Sequence, residues 1–193
     1  PELGKRFVQP AVEIFVGIPS VVYGWLGLTI LVPLIKDIFH LRFGFSVLAA
    51  GIVLAVMIFP TITSLAADAL RSIPQGYRAA SYGLGATRWQ TIAKVVVPAA
   101  VTGLMTAVIL GLARAFGEAL AVAMVIGKMR AFPTSILSPT NNLTAAIAAD
   151  MGGAMEGSEY NIALWTMALL LFIISLACIF TIHCLGNKGG EKA

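Results

Sequence analysis

Charge is scarce in this chain. Asp, Glu, Lys and Arg make up 11% of its 193 residues, against about 25% in an average soluble domain. Apolar residues make up 59%, against about 45–50%, and the mean hydropathy is +0.91. A soluble globular domain is excluded, and an all-α integral membrane protein is expected, packed against lipid and neighbouring helices. Cysteine is almost absent. Cys178 and Cys184 lie six apart in the last apolar run, on different helix faces, so they read as packing thiols and not as a disulfide or metal pair. His40 and His183 stand alone, which leaves no metal-ligand spacing. No GxxxxGK[ST] occurs, so no P-loop is expected, and Gly83-Leu84-Gly85 lacks the preceding strand a nucleotide fingerprint needs. No nucleophile stands near a base in the pattern. Catalytic residues and cofactors are therefore not expected. Strand alternation and internal repeats are missing too. So is the basic, apolar and small-residue order of a signal peptide, and the chain begins at Pro1.

What the chain does have is four long apolar runs, at about 11–35, 43–65, 99–126 and 162–185. A helical span needs about 20 apolar residues, so each run predicts one span of a single transmembrane domain covering 1–193. Lys and Arg set the orientation. One side collects Lys5, Arg6, Arg71, Arg78, Arg88, Lys94, Lys188 and Lys192, and the other holds Lys36, Arg42, Lys128 and Arg130. The positive-inside rule makes the richer side cytoplasmic, with both termini. A net charge of +4 is thus assigned to membrane topology and not to nucleic acid. The 127–161 loop faces out, with Asp150, Glu156 and Glu159 on a solvated face. Pro19 and Pro60 kink the first two runs, while Gly17, Gly24 and Gly27 allow close helix approach. Glu13 is expected to snorkel or to pair with Lys5 or Arg6, and Asp68 to pair with Arg71.

The polar segment between the second and third runs is unusual. Ser72-Ile-Pro-Gln75 has capping-box spacing and predicts a helix over about 73–82. Gly83 and Gly85 permit a sharp turn, and Thr87-Arg88-Trp89-Gln90 opens a second helix through another capping box. Trp89 and Ile92 form an apolar ridge three residues apart, flanked by Arg88 and Lys94. From the residues alone, an interfacial connector on lipid headgroups and a docking surface are both open.

The third run carries Arg114 and Glu118, four residues apart. On a continuous helix they share a face. A lone arginine within a span costs about 2.5–3.5 kcal/mol on insertion scales, part of which pairing with Glu118 offsets. Either the pair locks neighbouring helices, or it lines a path for an anion suited to the arginine fork.

The segment 77–98 resembles the EAA motif of ABC importer permeases, in which Glu-Ala-Ala precedes a glycine and Ile-x-Leu-Pro closes the segment. Gly85 supplies the glycine and Pro98, thirteen residues on, the proline. Val95 and Val97 stand for Ile and Leu, and Ala80 for the first Ala. Ala79 replaces Glu, and Ser81 the second Ala. RAFGEALAV at 114–122 is similar to the Arg-Ala-x-Gly-Glu segment of phosphate-specific ABC permeases of the PstC type. GIPSVVYGWLGL in the first run and LTAAIAADMGGA before the last also resemble that family. The resemblance implies a type I importer fold (MetI-like) with coupling helices at 72–98, in which Ala80, Gly85, Thr87, Arg88, Trp89 and Pro98 meet an ATPase. It assigns Arg114 and Glu118 to phosphate translocation. It also implies further N-terminal spans, so the chain is expected to be N-terminally truncated. The partners implied are a related permease subunit, a cytoplasmic ATPase dimer, an extracytoplasmic phosphate-binding protein and the bilayer of a bacterial inner membrane. Rival readings are a permease for molybdate, sulfate or phosphonate, a structural membrane protein, and a proton-coupled carrier in which Glu118 titrates.

Overall fold

Proline and glycine divide the apolar runs into more helices than spans. The computed structural model describes the backbone of residues 9–190 and the side chains within it, except those of Gln9, Ala11, Glu13 and 182–190. Expectations placed on Lys5, Arg6, Glu13, His183, Cys184, Lys188 and Lys192 lie outside the described residues. The helices are α1 (Gln9–Gly17), α2 (Ser20–Leu26), α3 (Val32–Ile38), α4 (Val47–Arg71), α5 (Gln75–Gly83), α6 (Arg88–Thr91), α7 (Val97–Gly117), α8 (Leu120–Val125), α9 (Leu143–Asp150) and α10 (Glu159–Gly190). Four helical stretches are long and apolar enough to cross a membrane: Ser20–Ile38, Val47–Arg71, Arg88–Gly117 and Glu159–Thr181.

The span count agrees with the four runs, but their limits move. The first run is interrupted, not merely kinked. Pro19 takes φ −59° and ψ 140°, outside helical geometry, so α1 ends before it and the span begins at Ser20. The second span extends beyond residue 65 and continues past Pro60 to Arg71. A buried proline is tolerated there because only its own donor is lost and neighbouring helices hold the rest of the helix in place. The third span begins earlier, since α6 continues into α7 as one helical stretch. It also ends earlier, at Gly117, and does not reach 126.

Two π-helical turns join helices within these spans. Gly27–Leu31 links α2 to α3, and Ile92–Val96 links α6 to α7. Each is followed by one valine and then a proline, Pro33 or Pro98. A proline cannot donate to the carbonyl four residues before it. Widening the preceding turn shifts the hydrogen-bond register at that point, so that Val32 N donates to Gly27 O and Val97 N to Ile92 O.

The core lies where α2, α3, α4 and α8 meet, around Tyr23, Ile35, Val53, Met57, Val122 and Val125. Gly24 sits so close to α8 that a Cβ on it would stand 2.7 Å from Ala121 Cα, and Gly27 is similarly pressed against Val53 and Val125. The expected close approach at these two glycines is present; at Gly17 there is nothing within 4 Å. Helix α4 also packs along α7, and α10 leans on α7 and α9. Most of α10 up to Thr181 stays uncovered, including Trp165 and Phe172. In a membrane those faces meet hydrocarbon, so their exposure costs nothing there.

The 127–161 segment folds back on the bundle. Gly127 and Thr140 form an isolated parallel bridge, and the carbonyls of Ile136 and Ser138 accept from Leu48 N and Val47 N at the start of α4. At this end lie Lys36, Arg42, Lys128 and Arg130; at the other lie Arg71, Arg78, Arg88 and Lys94. The charge excess read from sequence therefore comes from the chain ends, outside the described side chains.

Candidate substrate path and coupling hairpin

Arg114 lies in the last turn of α7. That helix has 21 residues, about 31 Å at 1.5 Å per residue, close to the hydrocarbon thickness of a bilayer. Arg114 is therefore not mid-span but toward the end opposite the 72–98 segment. There its positive charge faces the negative end of the α7 dipole. Its guanidinium is exposed, and Nη1 donates to Thr61 Oγ1 of α4 at 2.9 Å. Tyr23 lies within electrostatic range of it and gives its own hydroxyl proton to Phe15 O at 2.7 Å.

The expected Arg114–Glu118 pair does not form. Glu118 follows the last residue of α7, and its backbone is extended at φ −75° and ψ 116°. The helix stops there, so four residues of separation no longer place the two side chains on one face. Glu118 instead serves the next helix: Oε1 accepts from Ala121 N at 3.0 Å at the start of α8. Its carbonyl accepts from Thr144 Oγ1 of α9 at 2.8 Å. The 127–161 segment thereby reaches the break between α7 and α8. The expectation missed this because the run 99–126 stays apolar across Gly117, and hydropathy does not register a change of backbone direction.

A cavity of about 500 Å³ opens nearby between α2, α8 and the loop after α8. Val21, Phe45, Leu120, Met124 and Lys128 are among the residues that line it. Neither Arg114 nor Glu118 is among its lining residues.

At the far end, α5 and α6 form the expected pair of helices around Gly85. Gly85 has φ +80°, a left-handed conformation that costs an L side chain about 1–2 kcal/mol. The capping box at Thr87 is complete. Thr87 Oγ1 accepts from Gln90 N at 3.3 Å, and Gln90 Oε1 accepts from Thr87 N at 2.9 Å. The box expected at Ser72 is not made. Ser72 ends α4 and donates to Ala69 O at 2.8 Å, so α5 starts only at Gln75, after an extended Pro74. Asp68 and Arg71 pair at 3.6 Å, as expected.

Two contacts of this hairpin were not foreseen. Arg78 Nη2 donates to Leu70 O at 2.9 Å and ties α5 to the end of α4. Ser81 Oγ and Thr91 Oγ1 lie 2.9 Å apart, both residues buried. Thr91 already gives its proton to Thr87 O at 3.1 Å, so Ser81 is the donor. Ser81, the departure from the second Ala of the motif, thus staples α5 to α6. Ala80, Arg88 and Pro98 are exposed, and Trp89 and Leu84 project with 75% and 90% exposure. Ile92, the other member of the expected ridge, is 46% exposed, and exposed apolar side chains on a polar hairpin suit insertion into a protein groove.

The 127–161 segment differs from a solvated acidic face in one respect. Glu156 and Glu159 are exposed, but Asp150 Oδ2 accepts from both Tyr160 and Arg130, the latter at 3.1 Å. Arg130 lies over the Tyr160 ring, 4.4 Å from its centroid. The Tyr160 hydroxyl first, and then the Arg130 charge, hold the Asp150 carboxyl below its ordinary value.

Residues 2–185 match the family described as binding-protein-dependent transport system inner membrane component. The probable ABC transporter permease protein YqgH of Bacillus subtilis is 54% identical over 188 residues, covering 97% of this chain and 61% of its own length. The phosphate transport system permease protein PstC of Haemophilus influenzae is 35% identical over 196 residues, covering 91% of this chain and 61% of its own. The probable phosphate transport system permease protein PstC of Methanocaldococcus jannaschii is 32% identical over 194 residues, with 89% and 60% covered. The chain spans about 60% of the length of these relatives. No solved structure matches it significantly. The multi-pass helical architecture and the match over nearly the whole chain agree: this chain belongs to the family of binding-protein-dependent transport system inner membrane components.

Proposed function

We propose that the chain forms a single transmembrane domain of an ATP-driven importer for inorganic phosphate, lining the translocation path and linking it mechanically to a cytoplasmic ATPase. The observation that carries this reading is Arg114. It is an exposed guanidinium at the end of an apolar span, held among the described residues by one neutral hydroxyl. A cation in that setting attracts an oxyanion, and its planar fork matches phosphate oxygens. The PstC relatives favour phosphate among the oxyanions.

In this reading the 72–98 hairpin is cytoplasmic, together with both termini, and the 127–161 segment faces out. Trp89 and Leu84 enter a groove of the ATPase, while Ala80, Gly85, Thr87, Arg88 and Pro98 shape the hairpin that carries them. α6 runs into α7 through the π-helical turn at Ile92–Val96, so a push on Trp89 is passed along a single helical stretch toward Arg114. Glu118 sets the turn at which that stretch stops. Two ATPase subunits, a second and related permease chain, and an extracytoplasmic phosphate-binding protein complete the complex. ATP hydrolysis belongs to the ATPase, and this chain carries no covalent chemistry.

Labelled phosphate uptake by the assembled complex tests the reading. Arg114→Ala is expected to abolish uptake while the ATPase still co-purifies. Normal phosphate uptake by that variant would overturn it, and preferential uptake of sulfate or molybdate by the unmodified complex would reassign the substrate.

A further inference from the structure

We infer that Thr61 is a second anion-positioning residue, which holds Arg114 while the path is empty and joins it on the anion when substrate arrives. This rests on the reading that an oxyanion passes Arg114, and adds to it a residue on a different helix.

The placement of the two side chains follows from the packing of α4 on α7. Gly111 lets the helices touch: a Cβ there would stand 2.3 Å from Ile62 Cγ1. Thr61 precedes Ile62, and Arg114 lies one turn beyond Gly111. The Arg114–Thr61 hydrogen bond, between residues 53 apart in sequence, is thus set by a backbone approach and not by a flexible reach.

The chemistry of the contact is that of a placeholder. A guanidinium carries five donors, and among the described residues Thr61 is the one acceptor Arg114 meets. That acceptor is neutral. A carboxylate partner would bind about twice as strongly and compete with substrate, whereas a hydroxyl leaves the positive charge in place. An arriving oxyanion gains a charge-assisted bond by displacing it.

Thr61 differs from most threonines of the spans. Thr29, Thr63, Thr106, Thr166 and Thr181 each give their hydroxyl proton to the carbonyl four residues earlier. Thr61 and Thr102 make no such bond among the described residues, and of the two it is Thr61 whose oxygen meets a charged side chain. Threonine has two accessible rotamers in a helix, and here the oxygen is turned to Arg114. Its proton is left to be donated to an anion oxygen. A hydroxyl also accepts, so the same group can accept a hydrogen bond from the P–OH of a protonated phosphate. Sulfate, without such a proton at neutral pH, offers it nothing to accept.

The test is phosphate uptake by the complete permease complex carrying Thr61→Val, Thr61→Ser or Arg114→Ala, with the amount of assembled complex measured for each. Thr61→Val keeps the shape and removes the hydroxyl. It is expected to raise the KM for phosphate about tenfold or more, the loss of one hydrogen bond to a charged group, and to weaken discrimination against sulfate. Thr61→Ser is expected to stay near wild type. Unchanged KM and selectivity in Thr61→Val, while Arg114→Ala is inactive, overturns the inference and leaves the anion-path reading standing. Normal uptake in Arg114→Ala overturns both. An equal loss of maximal rate in Val and Ser at unchanged KM marks a packing role and also overturns it. If Thr61→Val does not assemble, Thr61→Cys, a weak donor of similar size, replaces it in the same comparison.

Discussion

Arg114 and Glu118 stand four residues apart on two sides of a helix break, each bonded to a different partner. Arg114 reaches sideways to Thr61 of α4, and Glu118 reaches forward to Ala121 N at the start of α8. Two charges that resemble an ion pair in sequence therefore have separable roles.

The separation can be measured at Glu118. Glu118→Gln keeps an oxygen for Ala121 N and removes the charge, while Glu118→Ala removes both. Loss of a side-chain acceptor at a helix start costs about 0.5–2 kcal/mol. Thermal unfolding of the purified complex in detergent is expected to show Glu118→Ala destabilised by that order and Glu118→Gln close to wild type. Phosphate uptake by Glu118→Gln then reads the charge alone. Equal destabilisation of the two variants would show that the oxygen does not cap α8.

The hairpin allows docking and folding to be told apart. Ser81→Ala removes the buried bond between α5 and α6 and leaves Thr91 Oγ1 without its donor. The expected cost is about 1 kcal/mol, seen as faster hydrogen exchange in α5 and α6. Trp89→Ala removes an exposed side chain and is expected to leave that exchange unchanged while reducing ATPase co-purification. If Ser81→Ala leaves exchange in both helices unaltered, the staple is not what holds the hairpin.

Much of this hairpin was legible in the sequence because capping and turn chemistry are local. Thr87 and Gln90 form their box, and Gly85 takes the positive φ that a glycine at a turn suggests. Ser72 carried the same local signal and failed, because α4 runs through Pro60 as far as Arg71 and uses Ser72 as its end. Long-range relationships left no such mark. Thr61 and Arg114 are brought together by the missing Cβ of Gly111, and a single glycine in an apolar run does not say which helix it meets. The break at Glu118 was hidden for the converse reason: apolar composition continues across it unchanged.

The latch of Arg130, Asp150 and Tyr160 has a defined pH dependence. Asp150 has its folded pKa lowered, first by the Tyr160 hydroxyl and then by the Arg130 charge. Its contribution is therefore fully present above the unfolded value of about 3.9 and is lost as pH falls through the lower folded value. Limited proteolysis of the 127–161 segment is expected to be insensitive to pH between about 7 and 5, and to rise only below about 4. Tyr160→Phe removes the largest cause, so the rise should begin at higher pH. A protected segment whose cleavage starts at the same pH in both proteins would rule the latch out.

Gly111 gives the sharpest test of how packing positions the path. Alanine there places a Cβ 2.3 Å from Ile62 Cγ1 and 2.7 Å from Ile62 Cδ1. The isoleucine must turn away or α4 must move off α7, and overpacking of this kind typically costs about 1–3 kcal/mol. Any outward shift of α4 also lengthens the Arg114–Thr61 contact, so phosphate uptake per assembled complex should fall as well as thermal stability. Trimming the obstacle should reverse both effects. Ile62→Ala combined with Gly111→Ala is expected to recover stability and uptake beyond the sum of the single effects, with a coupling of about 0.5–3 kcal/mol, the range found for residues in contact. Gly117→Ala supplies the control, since a Cβ at Gly117 meets nothing within 4 Å. It should leave both measurements near wild type. Additive single and double variants at 111 and 62 would mean that these helices do not meet there, and that the Arg114–Thr61 contact has another cause.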